Sequence, residues 1–131
     1  MARMLRHLEK EETVAIRQFA MYLIDSLKER VLDIKLFGSK TRGDFTPDSD
    51  LDVFIVLDTS DWDTKDQVRF MAADLSLEHD VLLNTHILSR ERWEEMARYQ
   101  ATLWREVQRD GVSLMPGPAA VRDLAEQQGA S

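Results

Sequence analysis

Asp50 and Asp52, one residue apart, open the apolar run LDVFIVL, and the pair Gly38-Ser39 lies upstream with ten residues between Ser39 and Asp50. On a strand, alternate side chains point to the same face, so this spacing would bring both carboxylates together. Carboxylates that close repel each other. A divalent cation removes the repulsion, and Mg²⁺ takes carboxylate together with phosphate oxygens in preference to an all-protein cage. Gly38 would let the backbone approach a ligand, and a short helix from Ser39 would aim its unpaired N–H groups at phosphate oxygens. Ser39 adds a hydroxyl donor, Arg42 a planar cation that can reach a phosphate, and Gly43 freedom for the chain to turn. Two metals about 3.5–4 Å apart would need a third carboxylate. Asp80, in HDVLL, offers one at the expected head of a later strand. Together these residues predict a site for a nucleoside triphosphate.

Each feature also has a plainer reading. Gly-Ser after a strand is usually only a turn, Asp-x-Asp is common at strand starts, and Asp80 could be a solvated strand-end residue. Their combined spacing carries the argument. DSDLD also imitates the start of a calcium-binding EF-hand loop, but Val53 stands at that loop's glycine position and Thr59 at its closing glutamate position. Arg42-Gly43-Asp44 spells an integrin-binding tripeptide, without meaning in a chain lacking a secretion signal. His7, His79 and His86 show no zinc spacing. Trp62, Trp93 and Trp104 are expected to pack, and Lys35 and Lys40 to be surface charges.

With 131 residues, 44% of them hydrophobic, the chain is expected to form one domain with its own core over residues 1–115. Residues 116–131, with prolines and glycine near their start, are expected to form a mobile or partner-docked tail. A net charge of −7 argues against a groove tracking a nucleic-acid backbone, which needs clustered cations. The absence of cysteine removes disulfides, thiolate metal sites and a cysteine nucleophile. No segment reads as a signal peptide or a membrane span, so a cytoplasmic protein is expected.

The elements that would position the site follow from periodicity. Ala15, Phe19, Tyr22, Leu23, Leu27 and Val31 fall at helical spacing and predict a helix over residues 5–30. Residues 33–37 alternate and stop at Gly38, as a short strand does, and residues 51–57 read as a strand buried on both faces. Ser60 is a candidate cap for a helix over 61–77, with Val68, Met71, Ala72 and Leu75 inward. A third strand is expected over 81–88, then a helix capped by Ser89 and a last helix, TLWREVQRD, ending at Gly111 as a C′ residue. This order gives an α/β (α+β) fold, a small mixed sheet with helices packed against it. Gly38-Ser39 and the two aspartates then meet at one end of that sheet.

GSKTRGDFTPDSDLDVFIV resembles the minimal nucleotidyltransferase (MNT) domain of the DNA polymerase beta-like nucleotidyltransferase superfamily. The resemblance covers roughly residues 31–88, while WREVQRDGVSL is similar to the end of many such domains. It implies the nucleotidyltransferase fold, a triphosphate held by Gly38 and Ser39, and two Mg²⁺ ions on Asp50 and Asp52. It also implies a third carboxylate, assigned here to Asp80, beside an acceptor hydroxyl. Larger members of the superfamily hold the acceptor with a further domain, for which this chain has no room, so a partner chain is expected to supply it. For MntA-type antitoxins of HEPN/MNT toxin–antitoxin systems that partner is a HEPN-domain toxin, an RNase. The expected activity is transfer of AMP from ATP to a toxin tyrosine, with no membrane and no nucleic-acid polymer as partner. Two other readings stay open: neutralisation of a toxin by binding alone, and a small-molecule nucleotidyltransferase of the aminoglycoside type.

Overall fold

The computed structural model describes residues 8–38, 41, 43, 50–59 and 61–115. The chain runs through α1 (Lys10–Leu27), a 3₁₀ turn (Lys28–Arg30), β1 (Val31–Phe37), β2 (Leu51–Leu57), α2 (Trp62–His79), β3 (Leu83–Ser89), α3 (Arg90–Arg98), α4 (Thr102–Asp110) and β4 (Val112–Ser113). The sheet order is β3-β2-β1-β4. β2 is central, antiparallel to β1 and parallel to β3, and β4 lies antiparallel on the outer side of β1. This is the mixed α/β architecture expected of the sequence.

The continuous apolar run of β2 is explained by helices on both sides of it. Leu51, Val53, Ile55 and Leu57 join Ile34 and Leu36 of β1 in a core with Ile16, Phe19 and Leu23 of α1 and Val68, Ala72 and Leu75 of α2. Phe54 and Val56, pointing the other way, form a smaller core with Phe37 and Val107, against which Trp93 of α3 and Leu103 of α4 pack. The Phe54 and Trp93 rings lie 4.3 Å apart.

Several boundaries differ from expectation. α1 proper ends at Leu27, and Val31 is buried as the first residue of β1. Tyr22 is 53% exposed, because Ile16 and Ala20 extend the buried arc of α1 on the opposite side from it. Ser60 lies outside the described residues, and Asp61 caps α2, its carboxylate accepting from the Thr64 backbone N–H at 3.3 Å. Arg30 ties this cap to the 3₁₀ turn, donating to Asp61 Oδ1 at 3.2 Å and to Thr64 Oγ1 at 3.1 Å. Ser89 caps α3 as expected, accepting from Arg92 N. α4 stops at Gly111, but with φ −64° and ψ 134° rather than a left-handed turn. The glycine is needed for space instead, since a Cβ there would lie 2.3 Å from the Val107 carbonyl oxygen.

Trp62 is 75% exposed, contrary to a packing role, with Lys65 Nζ 5.4 Å from its ring centroid. Lys35 pairs with Asp33 at 3.6 Å. Among the described residues, no helix is long and apolar enough to cross a membrane.

Candidate active site

The site is built where β1 leaves the sheet and β2 and β3 enter it. Phe37, the last residue of β1, is paired with Asp52, so the chain turns away at Gly38 directly beside that carboxylate. Gly38 has φ +91°, a conformation that side-chain-bearing residues rarely adopt. A Cβ there would sit 2.5 Å from Asp52 Oδ2. The glycine therefore does two things at once: it makes the turn and it leaves room for the carboxylate. Thr41 closes the turn, its backbone N–H and its hydroxyl both donating to the Gly38 carbonyl at 3.1 and 2.8 Å. Gly43 also has φ +91°. Ser39 and Arg42, expected to bind phosphate, lie outside the described residues, as does the start of the short helix expected from Ser39.

Asp52 lies on β2, with its side chain a quarter exposed. Asp50 is exposed and stands just before the strand, whose first residue donates its N–H to Leu82 O at 2.8 Å. Asp80 is placed differently from expectation. It is not at the head of a strand but is the exposed C-cap of α2, in a left-handed conformation with φ 53° and ψ 49°, and β3 begins three residues later at Leu83. Asp tolerates that conformation because its short polar side chain can bond locally. Among the described residues, no three His, Cys, Asp or Glu side chains converge as a metal-holding group, so Asp50, Asp52 and Asp80 are not brought together as one cluster.

What meets Asp52 is β3, which carries no acidic residue. The parallel register sets Asn84 opposite Asp52 and His86 opposite Phe54, all on one face. Asn84 Nδ2 donates to Asp52 Oδ1 at 3.0 Å, and His86 Nε2 lies 3.3 Å from the same oxygen. The His86 ring stands edge-on to Phe37, with centroids 5.1 Å apart, which fixes its direction. Neither Asn84 nor His86 was singled out by sequence reasoning for this site. The available signal was the alternation of polar Asn84 and His86 along LNTHILS, but only the register with β2 shows what they face.

Two carboxylates this close in the chain are donors of the kind that a divalent cation takes together with phosphate oxygens. Asp52 offers Oδ2 toward the space that Gly38 keeps clear, and Asp50 is exposed two residues away. Asp50 and Asp52 are the residues that would hold an ion there.

Comparison with known proteins agrees with this architecture. Residues 20–101 match the family described as the nucleotidyltransferase domain. Over 80 residues the chain is 36% identical to a Methanocaldococcus jannaschii protein whose name places it, provisionally, among protein adenylyltransferases; the match spans 61% of this chain and 76% of that protein. A chain from a toxin–antitoxin crystal structure with AMP-PNP is similar in fold, with a TM-score of 0.50 and 20% identity over 87% of this chain and 88% of that one. A chain from an MntA–HepT toxin–antitoxin crystal structure gives a TM-score of 0.46 and 18% identity, over 90% and 88% of the two chains. With the family match covering more than half of its length, the chain belongs to the nucleotidyltransferase domain family.

Proposed function

We propose that this protein is an antitoxin that transfers AMP from ATP to a tyrosine hydroxyl of a partner HEPN toxin, an RNase, releasing pyrophosphate. The observation that carries the reading is the close fit of Gly38 against Asp52, which sets the glycine turn beside the acidic strand. Family membership supports nucleotidyl transfer. The name of the Methanocaldococcus relative supports a protein as acceptor, and the MNT-like motif supports a toxin as that protein.

In this reading the triphosphate lies against Gly38, with Ser39 and Arg42 on the phosphates that leave. Asp50 and Asp52 would hold two divalent ions, Mg²⁺ or a cation like it, which would offset the negative charge of the triphosphate and of the displaced oxygens. The tyrosine oxygen bonds to the α-phosphorus, and the bond from that phosphorus to the oxygen bridging the β-phosphate breaks. Pyrophosphate departs with the electron pair, and the hydroxyl proton passes to solvent. Asp80, expected from the sequence as a third carboxylate, stands at the end of α2 and does not cluster with Asp50 and Asp52, so Asp80→Ala is expected to slow transfer less than Asp52→Ala.

A protein acceptor also suits the surface. Trp62, Phe70 and Leu77 are 75%, 71% and 84% exposed and share one side of α2, spaced eight and then seven residues apart. Asp63, Asp66, Asp74 and Glu78 on the same helix, with the chain's net charge of −7, favour a basic partner.

The test uses ATP labelled on the α- or the γ-phosphate, incubated with the protein, Mg²⁺ and the co-purified partner. Label entering the partner from the α-phosphate only, with loss in Asp50→Ala and Asp52→Ala, is the expected result. Label from the γ-phosphate, or equal transfer by the variants, would contradict it.

A further inference from the structure

We propose that His86 is itself a ligand of the cation held by Asp52, giving this site a mixed oxygen and nitrogen donor set that favours Mn²⁺ over Mg²⁺. The inference rests on the reading of Asp52 as a metal-binding carboxylate and adds a residue from the neighbouring strand.

The spacing of the two side chains suits donors to one ion. Metal–oxygen and metal–nitrogen bonds of about 2.1 Å at a right angle set adjacent donors about 3.0 Å apart. Asp52 Oδ1 and His86 Nε2 are 3.3 Å apart. An ion entering between them would replace their hydrogen bond with only a small movement of either side chain. The imidazole is poised for this because its edge contact with Phe37, which is 3% exposed, holds the ring in place. Asn84 meets the same carboxylate oxygen at 3.0 Å, and the amide turned by half a rotation would present its oxygen to the same ion.

The chemistry of the donors then sets the choice of metal. Mg²⁺ gives up its waters reluctantly and takes oxygen ligands, whereas Mn²⁺ shares its oxygen-rich octahedral coordination but, as a first-row transition ion, accepts a nitrogen donor more readily. β3 faces Asp52 with an imidazole and an amide where a carboxylate would have served Mg²⁺ better.

The experiment is Mn²⁺ binding in the presence of inorganic tripolyphosphate, which contains no nitrogen, followed by electron paramagnetic resonance with spin-echo detection of nitrogen coupling. Wild-type protein is expected to bind Mn²⁺ with a clear imidazole-nitrogen modulation. His86→Gln is expected to lose the modulation and about tenfold or more in Mn²⁺ affinity, with much less change for Mg²⁺ measured by competition. His86→Phe keeps the ring packing on Phe37 and should behave like His86→Gln, which separates a lost ligand from lost packing. His86→Asp, restoring an oxygen donor, should move the preference back toward Mg²⁺. Mn²⁺ bound without nitrogen modulation, or with modulation that survives in both His86→Gln and His86→Phe, would overturn the role of His86 and leave the carboxylate site standing. Mn²⁺ affinity unchanged in Asp52→Ala would overturn the metal site itself.

Discussion

At the scale of single residues, the site depends on one absent side chain. Gly38 holds φ +91° and lies where a Cβ would come within 2.5 Å of Asp52 Oδ2. Gly38→Ala therefore carries a backbone penalty of order 1–3 kcal/mol and must also displace the carboxylate. The expected outcome is a folded but less stable protein whose nucleotide transfer falls far more than its stability does, read by denaturant titration beside label transfer. Transfer at the wild-type rate would show that the Gly38–Asp52 contact is incidental. The turn at Gly38 and its place beside Asp52 were legible in the sequence because both follow from short spacings along the chain. Asn84 and His86 were not, since their relation to Asp52 exists only through the pairing of β2 with β3. Asp80 was misplaced for a related reason: HDVLL reads as a strand start, but its first two residues finish α2, with Asp80 in the left-handed turn.

At the scale of elements, the frame around the site is held by contacts at helix ends. His79, the last residue of α2, meets Glu11 Oε2 through Nδ1 and Gln18 Oε1 through Nε2, each at 2.9 Å, and so ties α2 to α1. Its side chain is 11% exposed. His79→Ala is expected to cost about 1–3 kcal/mol in chemical denaturation without changing Mn²⁺ or nucleotide binding. A loss of binding with stability retained would contradict a purely structural role. At the other end of α2, the Thr64 hydroxyl, 2.6 Å from Asp61 Oδ1, is the main cause that holds the Asp61 carboxyl below its ordinary value of 3.8, with Arg30 adding to it. A carboxyl lowered by folding stabilises the folded state at pH above its unfolded value, and the effect is lost as pH falls through the lower folded value. The difference in Tm between wild type and Asp61→Ala should thus be largest near neutral pH and shrink as the pH drops below about 3.8; a difference independent of pH would contradict it. The long apolar run of β2 and the helical spacing of α1 made those elements legible. The cap of α2 was expected one residue early, at Ser60, because Asp61 reads equally well as the first residue of the helix, and β4, two residues long, exists only through its pairing with β1.

At the scale of the whole molecule, the proposed function requires a second protein, and the acidic, apolar-striped side of α2 is the surface we propose for it. Phe70→Asp and Leu77→Asp remove exposed apolar surface and alter no buried contact of the core. Together they are expected to weaken partner binding by about tenfold or more, as central apolar anchors of an interface do, while ATP binding is unchanged. Equal affinity of the double variant by calorimetry would place the partner elsewhere. The central claim is adenylyl transfer to that partner, and intact-protein mass spectrometry tests it most directly. The partner that co-purifies with this chain is weighed with and without ATP and a divalent metal, using wild type and Asp52→Ala. The account predicts mass increments of whole AMP units only with wild type and ATP. A partner that binds stably yet never gains mass, or gains it equally with Asp52→Ala, would contradict it.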